Sequence, residues 1–307
     1  MRVLVYGAGP QGSYIAYQLR DSGVDVTVLA RGKRLEYIER YGIILEAMNS
    51  GKRTSRKVNT MGRLYPEDSF DLVVVAVGKN HYSGVLPYLA ANISTPNILF
   101  VGNNAAGPDE QNRLLGGERV LMGFLDVCGL MQGRVVQYKP REKPIITMGE
   151  LDGGETERVK WIKEMFEDAG FTVNISTSIE AWLKYHAALI VPLAGAYWCA
   201  DCNLEELNRD DKGLNLMVNA VRETVSVLKG KGYANVSESL KRLEWVPQPL
   251  QAMYARRLLN NGDVEYVFLN YKAMKPEFIK LGSELGEINR DADTPAFTET
   301  LEILNAK

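Results

Sequence analysis

Cysteine and histidine are scarce in this sequence, which has three cysteines and two histidines among its 307 residues. Three cysteines cannot make the disulfide framework of a small secreted domain. Cys199 and Cys202 form a single CxxC motif, whereas a structural zinc site needs four ligands, and neither His81 nor His186 stands at ligand spacing from the pair. We therefore expect no metal site, and we interpret the two cysteines as buried or helix-end residues.

The sequence also lacks an excess of either charge and lacks a long hydrophobic run. Its 36 Lys and Arg residues nearly balance its 38 Asp and Glu residues, so we do not expect nucleic acid as a partner. The longest apolar stretch, residues 187–200, contains Pro192 and Gly195 and is shorter than the roughly 20 residues of a membrane helix. The apolar N-terminus is too short for a signal sequence. These features favour a cytoplasmic protein with no membrane segment.

The first 31 residues contain a strand, a glycine loop, a helix and a second strand. Residues 1–6 are a short Val-rich run of strand length, and residues 13–22 are typical of a helix. The second predicted strand covers residues 24–29. The loop between the first strand and the helix has the GxGxxG pattern and consists of Gly7, Ala8, Gly9, Pro10, Gln11 and Gly12.

Each glycine of this loop has a separate expected role in binding a dinucleotide. Gly7 allows a tight turn, Gly9 lets the backbone approach a pyrophosphate, and Gly12 lets the helix pack close to the strand. The start of the helix then offers free N–H groups and the positive end of its dipole to the phosphates. The sequence therefore predicts a bound dinucleotide, with contacts from Gly7, Gly9, Pro10, Gln11 and Gly12; an ordinary tight turn is the alternative.

The end of the second strand indicates which dinucleotide binds. NAD sites usually have Asp or Glu here, roughly 20 residues past the glycines, to bind the ribose 2′-hydroxyl. This chain has Arg31, followed by Lys33 and Arg34. A guanidinium can bind a 2′-phosphate through paired charged hydrogen bonds, whereas a carboxylate would repel it. We therefore predict NADP(H), bound by Arg31 with help from Lys33 or Arg34.

The rest of the first half continues to alternate strands and helices. Residues 70–77 (FDLVVVAV) are a continuous apolar run, as expected for a parallel strand covered on both faces. After about residue 177 the pattern changes to long helical periodicities. We predict an α/β fold with an N-terminal Rossmann-type, doubly wound domain (residues 1–177) and an all-helical C-terminal domain (residues 178–307). Because ligands bind beyond the carboxyl ends of such strands, Asn104 after the predicted strand 97–101 is a further candidate cofactor contact.

Beyond these patterns, the sequence resembles the ketopantoate (2-dehydropantoate) reductase family nearly from end to end. The stretch VTVLARGKRLEYIERYGIIL resembles the family's second strand and following helix, including Arg31, and Asn104 stands where the family has an Asn. IEAWLK, residues 179–184, resembles the helix start that carries the catalytic lysine, here Lys184. Asp293-Thr294-Pro295 resembles the family's C-terminal Thr-Pro turn.

The resemblance implies a mechanism and an architecture. Hydride passes from NADPH to the carbonyl of a 2-oxo acid in a cleft between the two domains, while Lys184 protonates or polarises the carbonyl oxygen. An ammonium on an apolar wall suits this role because it stabilises a developing alkoxide. The family also implies a homodimer through the helical domain and a distal acidic residue, for which we choose Glu265, with Asp263 as the alternative.

Several family positions differ in this chain. The family commonly has Asn four and eight residues after the lysine, where this chain has Ala188 and Pro192, and Met253 replaces a serine. The chain therefore lacks several polar substrate contacts, which favours a bulkier or more apolar oxo acid than ketopantoate. The alternative function is a non-catalytic NADP(H)-binding sensor or regulatory protein on the same fold.

Overall fold

The computed structural model describes residues 1–233, 238–260 and 271–306. The chain divides into two compact units. The first contains residues 1–102 and 108–179, and the second contains residues 103–107 and 180–307. The second unit thus includes five residues that belong to the N-terminal half of the sequence.

The described residues of the first unit form twelve strands in two sheets. In chain order the strands are β1 (Arg2–Tyr6), β2 (Asp25–Leu29), β3 (Ile43–Ala47), β4 (Arg53–Arg56), β5 (Asn59–Met61), β6 (Leu72–Val75), β7 (Ile98–Val101), β8 (Val120–Asp126), β9 (Gly129–Gln132), β10 (Val135–Tyr138), β11 (Ile145–Gly149) and β12 (Thr172–Ile175). The large sheet has the order β5-β2-β1-β6-β7-β8-β11-β12, and the small sheet has the order β4-β3-β10-β9.

The large sheet is parallel from β5 to β8, and β11 runs antiparallel to β8. Its central strands are buried on both faces; every residue of Leu72–Val75 is buried. β1 lies between β2 and β6. From β1 the chain first adds strands on one side, β2 and β5, and then crosses over to add β6, β7 and β8 on the other side. Ligands in doubly wound folds bind at such a reversal point, beyond the carboxyl ends of the strands.

Five α-helices belong to the first unit: α1 (Pro10–Asp21), α2 (Gly32–Tyr41), α3 (Leu86–Ala91), α4 (Asp109–Leu115) and α5 (Glu157–Asp168). Residues 79–84 form a 3-10 helix before α3 begins at Leu86. Pro87 at the second position of α3 favours a new helix start there, because a proline has no N–H to contribute to a preceding turn.

The described residues of the second unit are helical and contain no strand. The helices are α6 (Ile179–Cys199), α7 (Leu204–Arg209), α8 (Asp211–Gly230), α9 (Glu238–Trp245), α10 (Gln251–Leu259), α11 (Tyr271–Asn289) and α12 (Pro295–Asn305). α6 remains helical on both sides of Pro192. Its apolar residues pack into two clusters, one with α8 and α10 and the other with α11 and α12. This architecture confirms the predicted fold class.

The Thr-Pro turn begins the last helix. Thr294 precedes α12 and Pro295 is its first residue. The carboxylate of Glu223 on α8 accepts hydrogen bonds from the backbone N–H groups of Ala296 and Phe297 at 3.2 and 2.9 Å, which satisfies donors that a helix start leaves open. Among the described residues, no helix has both the length and the apolar character that crossing a membrane requires.

Candidate active site

The glycine loop between β1 and α1 has three glycines in three different environments. Gly7 has a φ of +116°, and a Cβ there would lie 2.6 Å from the carbonyl oxygen of Ala76. A Cβ on Gly12 would lie 2.0 Å from the carbonyl oxygen of Gly7. At Gly9, by contrast, no atom lies within 4 Å of the Cβ position. Gly7 and Gly12 therefore allow the loop to close, and Gly9 leaves open space where a phosphate can approach the backbone, so the loop fits a dinucleotide.

Pro10 and Gln11 begin α1 and shape this loop in different ways. Pro10 is the first helical residue, where its missing N–H has no cost. The Gln11 side-chain amide donates to the carbonyl oxygens of Leu125 and Val127, at 3.1 and 3.5 Å. Gln11 therefore connects the helix start to the end of β8. Because its side-chain amide is used in this way, its backbone N–H is the group that can bind a phosphate.

The two arginines after β2 have different surroundings: Arg34 makes hydrogen bonds within the fold, and Arg31 is exposed. Arg34 donates to the carbonyl oxygen of Ala8 at 3.1 Å and to the hydroxyl of Ser13 at 2.8 Å, and burial lowers the pKa of its guanidinium. It braces the glycine loop. Arg31 is exposed and directly precedes α2. Of the two helpers considered for Arg31, Arg34 is thus occupied, while Lys33 is exposed at the start of α2.

Lys184 lies on α6 in the second unit and is 1% exposed. Its ammonium nitrogen donates to the carbonyl oxygen of Ala105 at 2.7 Å and lies 3.2 Å from the carboxylate of Glu180, one helical turn earlier. The ring of Tyr233 lies 5.1 Å from the same nitrogen, and its hydroxyl donates to Glu180 at 3.3 Å. A buried ammonium is thus stabilised by a carbonyl, a carboxylate and an aromatic face.

The segment 103–107 follows β7 and forms the other side of this lysine site. The Asn104 side chain donates to the carbonyl oxygen of Gly107 at 2.8 Å and accepts from the Gly107 N–H at 3.1 Å. These two bonds close the loop around Ala105. The cofactor contact predicted for Asn104 stays a prediction; in this structure its amide holds the loop that presents the Ala105 carbonyl to Lys184.

The side chain of Glu284 on α11 binds the backbone of the same loop. The carboxylate accepts hydrogen bonds from the N–H groups of Ala105 and Ala106, at 3.2 and 3.1 Å, and Glu284 is 7% exposed. Glu284 and Glu180 were absent from the sequence analysis. Glu180 stands four residues before Lys184, a helical spacing that indicates an ion pair. Glu284 also has a partner at this spacing, because the Lys280 nitrogen lies 3.7 Å from its carboxylate. Its bonds to the loop have no such local signal, since Ala105 and Ala106 are 179 and 178 residues away.

Asn103 adds an acceptor to this loop. Its side-chain nitrogen donates to Glu277 at 3.1 Å, while its side-chain oxygen is buried and has no hydrogen-bond partner among the described residues. A buried amide oxygen without a donor is costly unless a ligand or water supplies one. Asn103 is therefore a candidate contact for a donor group that the sequence analysis did not single out.

The remaining sequence candidates have varied surroundings. Ala188 is fully buried in an apolar cluster of the second unit, and Pro192 is buried. Met253 is 59% exposed. The predicted acidic site residue Glu265 and its alternative Asp263 lie outside the described residues.

The CxxC motif ends α6, as the sequence analysis expected. Cys199 is exposed and Cys202 is partly buried, and neither forms a disulfide. Within residues 1–233, 238–260 and 271–306, no group of three or more His, Cys, Asp or Glu side chains is arranged to hold a metal ion.

Comparison with known proteins gives a family match over the first half of the chain. The sequence model described as "Ketopantoate reductase PanE/ApbA" matches residues 3–153. The chain is 25% identical over 292 residues to the uncharacterized oxidoreductase YkpB of Bacillus subtilis, an alignment that spans 90% of this chain and 93% of that protein. It is 28% identical over 185 residues to the 2-dehydropantoate 2-reductase of Pyrococcus horikoshii, spanning 59% of this chain and 58% of that one.

Solved structures show a similar fold. The structure of D-mandelate dehydrogenase with NADH and anilino(oxo)acetate is similar to this chain with a TM-score of 0.82 at 16% identity, covering 99% of this chain and 97% of that one. At this identity the likeness describes the fold, which the two chains share over nearly their whole lengths.

Proposed function

Because this chain belongs, through its residues 3–153, to the ketopantoate reductase family, we propose that it is an NADPH-dependent reductase of a 2-oxo acid, with ketopantoate as the default substrate. The observation that carries the proposal is the buried ammonium of Lys184, held by the Ala105 carbonyl and the Glu180 carboxylate. Burying an ammonium in an apolar helix costs desolvation free energy, and lysines buried at such a cost are typical of functional sites.

The chemistry assigned to Lys184 is electrostatic and acid catalysis. When bound, NADPH supplies the hydride that reduces the carbonyl. The ammonium stabilises the negative charge that develops on the substrate oxygen and donates a proton to it, in surroundings where such an interaction is much stronger than in water. The Ala105 carbonyl and Glu180 keep Lys184 oriented before that event.

The preference for NADPH rests on Arg31. An exposed guanidinium after β2 suits a 2′-phosphate, and no Asp or Glu stands among residues 30–34 to bind a 2′-hydroxyl. D-mandelate dehydrogenase, whose fold is similar, is described with NADH. The binding experiments therefore compare both dinucleotides.

The substrate preference rests on the residues that follow Lys184 along α6. Ala188 and Pro192, one and two turns further on, have no side-chain hydrogen-bonding groups. We propose that the pocket accepts a less polar or bulkier 2-oxo acid better than ketopantoate, the default substrate that the family resemblance supplies. The similar fold that was solved with anilino(oxo)acetate, an oxoacetate bearing an anilino group, makes aromatic oxo acids the first compounds to add to the test.

The test is NADPH oxidation, followed by its near-ultraviolet absorbance, with ketopantoate, 3-methyl-2-oxobutanoate and phenylglyoxylate as substrates. Activity that Lys184→Met abolishes and that Lys160→Met, a control at an exposed lysine, retains would support the proposal. Turnover of phenylglyoxylate alone would support a reductase of altered specificity. Tight NADPH binding with no turnover of any 2-oxo acid would contradict the reductase proposal and favour the alternative, a non-catalytic NADP(H)-binding sensor.

Two further parts of the proposal come from the family resemblance. Glu265, with Asp263 as the alternative, is proposed as the acidic site residue, and comparison of Glu265→Gln with Asp263→Asn in the same assay decides between them. A homodimer is proposed as the assembly, which light scattering of the purified chain tests directly.

A further inference from the structure

Two arginines follow neighbouring parallel strands at matching positions. β2 and β5 pair in parallel with Leu29 opposite Met61, and the Ala30 N–H extends the pairing by donating to the Met61 carbonyl oxygen at 3.1 Å. Arg31 and Arg63 each stand two residues beyond this last registered pair. Since neighbouring strands are about 4.8 Å apart, the two side chains leave the same corner of the sheet.

The backbone before Arg63 packs against the helix that Arg31 precedes. Gly62 lies close enough to α2 that a Cβ there would be 3.3 Å from the Leu35 side chain. Arg63 therefore emerges beside the first turns of α2. That first turn contains no acidic residue, and no side chain caps it. Its backbone N–H groups and dipole add positive potential to the same corner.

Tyrosine rings line this corner. The Arg63 guanidinium lies 5.6 Å from the ring of Tyr65 and 5.4 Å from the ring of Tyr88, both of which are exposed. Burial raises the pKa of Tyr6 at the end of β1, and the positive charge of Arg31 opposes that rise, so Arg31 lies within electrostatic range of Tyr6. Contacts with two aromatic faces orient the Arg63 guanidinium.

Neither arginine has an anionic partner in the described part of the chain. Both are exposed. Within residues 1–233, 238–260 and 271–306 neither guanidinium takes part in an ion pair or a side-chain hydrogen bond. Two cations held close together beside a helix start repel one another, and a ligand carrying more than one negative charge relieves that repulsion. A phosphate monoester is such a ligand.

We propose that Arg63 is a second specificity-determining residue for the cofactor, which binds the 2′-phosphate of NADP(H) together with Arg31. The inference rests on the proposed function, in which NADPH is the cofactor. It extends that function by assigning part of the phosphate site to a residue after β5, which forms no part of the strand–loop–helix–strand motif of residues 1–31.

Calorimetric binding of NADPH, NADH, 2′-AMP and 5′-AMP to the purified chain tests this assignment without relying on turnover. Arg63→Met is expected to weaken NADPH and 2′-AMP about 10- to 100-fold while leaving NADH and 5′-AMP within about twofold. Arg63→Lys is expected to recover part of the loss, since a lysine keeps the charge without the paired donors. Arg20→Met, an exposed arginine at the end of α1, is the matched control and is expected to change none of the four affinities.

The outcomes separate this inference from the proposed function. If the wild type prefers NADPH, Arg31→Met removes the preference and Arg63→Met does not, the role of Arg63 is overturned and the proposed cofactor stands. If Arg63→Met weakens the binding of NADPH and NADH equally, the role of Arg63 is also overturned, because the residue would then contact a part of the cofactor that both dinucleotides share. A wild type with no preference for NADPH overturns both proposals.

Discussion

The ammonium nitrogen of Lys184 and the carbonyl oxygen of Ala105 are 2.7 Å apart, although the two residues are 79 positions apart in the sequence. The bond joins the second turn of α6 to the loop that follows β7. A carbonyl oxygen can accept a hydrogen bond from an ammonium but cannot take up its proton, so this contact aims the Lys184 ammonium without competing for its proton. The position of the loop therefore helps to set the position of the Lys184 ammonium, the proposed catalytic group.

Replacing Lys184 by Met tests whether the ammonium takes part in the chemistry. Methionine fills a similar volume without charge, and we expect kcat to fall about 10²- to 10⁴-fold while the dissociation constant for NADPH stays nearly unchanged. Stopped-flow reduction of the best 2-oxo acid gives kcat, and calorimetry gives the dissociation constant. A variant that keeps more than half of the wild-type kcat would contradict a catalytic role.

Replacing Glu284 by Ala tests whether the loop positions Lys184. The change leaves the N–H groups of the buried Ala105 and of Ala106 without their acceptor, at a cost of about 1–3 kcal/mol in the free energy of unfolding. We expect kcat to fall more than KM changes, and we expect Glu284→Gln, which retains an acceptor oxygen, to recover part of the loss.

The matched control for Glu284 is Glu287→Ala on the same helix, where the side chain is exposed and pairs with Arg290. Its kcat and its stability in urea are expected to stay close to the wild-type values. If Glu284→Ala lost stability but retained full kcat, Glu284 would be structural and would have no positioning role.

Replacing Gly107 by Ala tests the space around the ammonium. Gly107 has a φ of +94°, and a Cβ there would lie 2.8 Å from a Glu180 carboxylate oxygen and 3.3 Å from the Lys184 nitrogen. Gly23 has the same φ of +94°, but no atom lies within 4 Å of its Cβ position. Both alanine variants have the backbone cost of about 1–2 kcal/mol, and only Gly107→Ala is expected to disturb the lysine and reduce kcat. Equal kcat in the two variants would argue against this crowding.

His186 predicts a pH dependence of stability. Burial lowers its pKa to about 4 from the ordinary value of 6.5, and its ring stacks on Trp182 at 5.2 Å. The unfolded chain therefore binds this proton at a higher pH than the folded chain. The resulting stabilisation, about 1–3 kcal/mol, is fully present above pH 6.5 and is lost as the pH falls to about 4.

Urea unfolding of the wild type and of His186→Phe between pH 4 and pH 7 measures this dependence. Phenylalanine keeps an aromatic ring against Trp182 and does not titrate, so the variant is expected to lose less stability on acidification than the wild type. His81→Gln, at the exposed histidine, is the control and is expected to follow the wild type. Parallel pH profiles for the wild type and His186→Phe would show that His186 does not cause the effect.

The sequence predicted best those elements whose pattern is local. The β1–loop–α1 unit and the buried run of β6 were both predicted from periodicity and glycine position, and the structure confirms them. The strands β3, β4 and β5 were missed. β4 has the sequence RTSR, with no buried residue, and β5 has three residues, so neither has an apolar alternation to recognise. β4 pairs with the preceding strand β3, β5 pairs with β2, and that pairing is what makes them strands.

Local sequence by itself determined the fold class, the glycine loop and the presence of a lysine in an apolar helix, because turn chemistry and hydrophobic periodicity act between near neighbours. Only the tertiary structure decided what surrounds that lysine. Ala105 comes to Lys184 from a distant segment, which Glu284 holds from another distant segment, and Arg63 comes to the side of Arg31 through the register of two strands. Such contacts depend on burial and strand pairing across long stretches of chain, which no local spacing records.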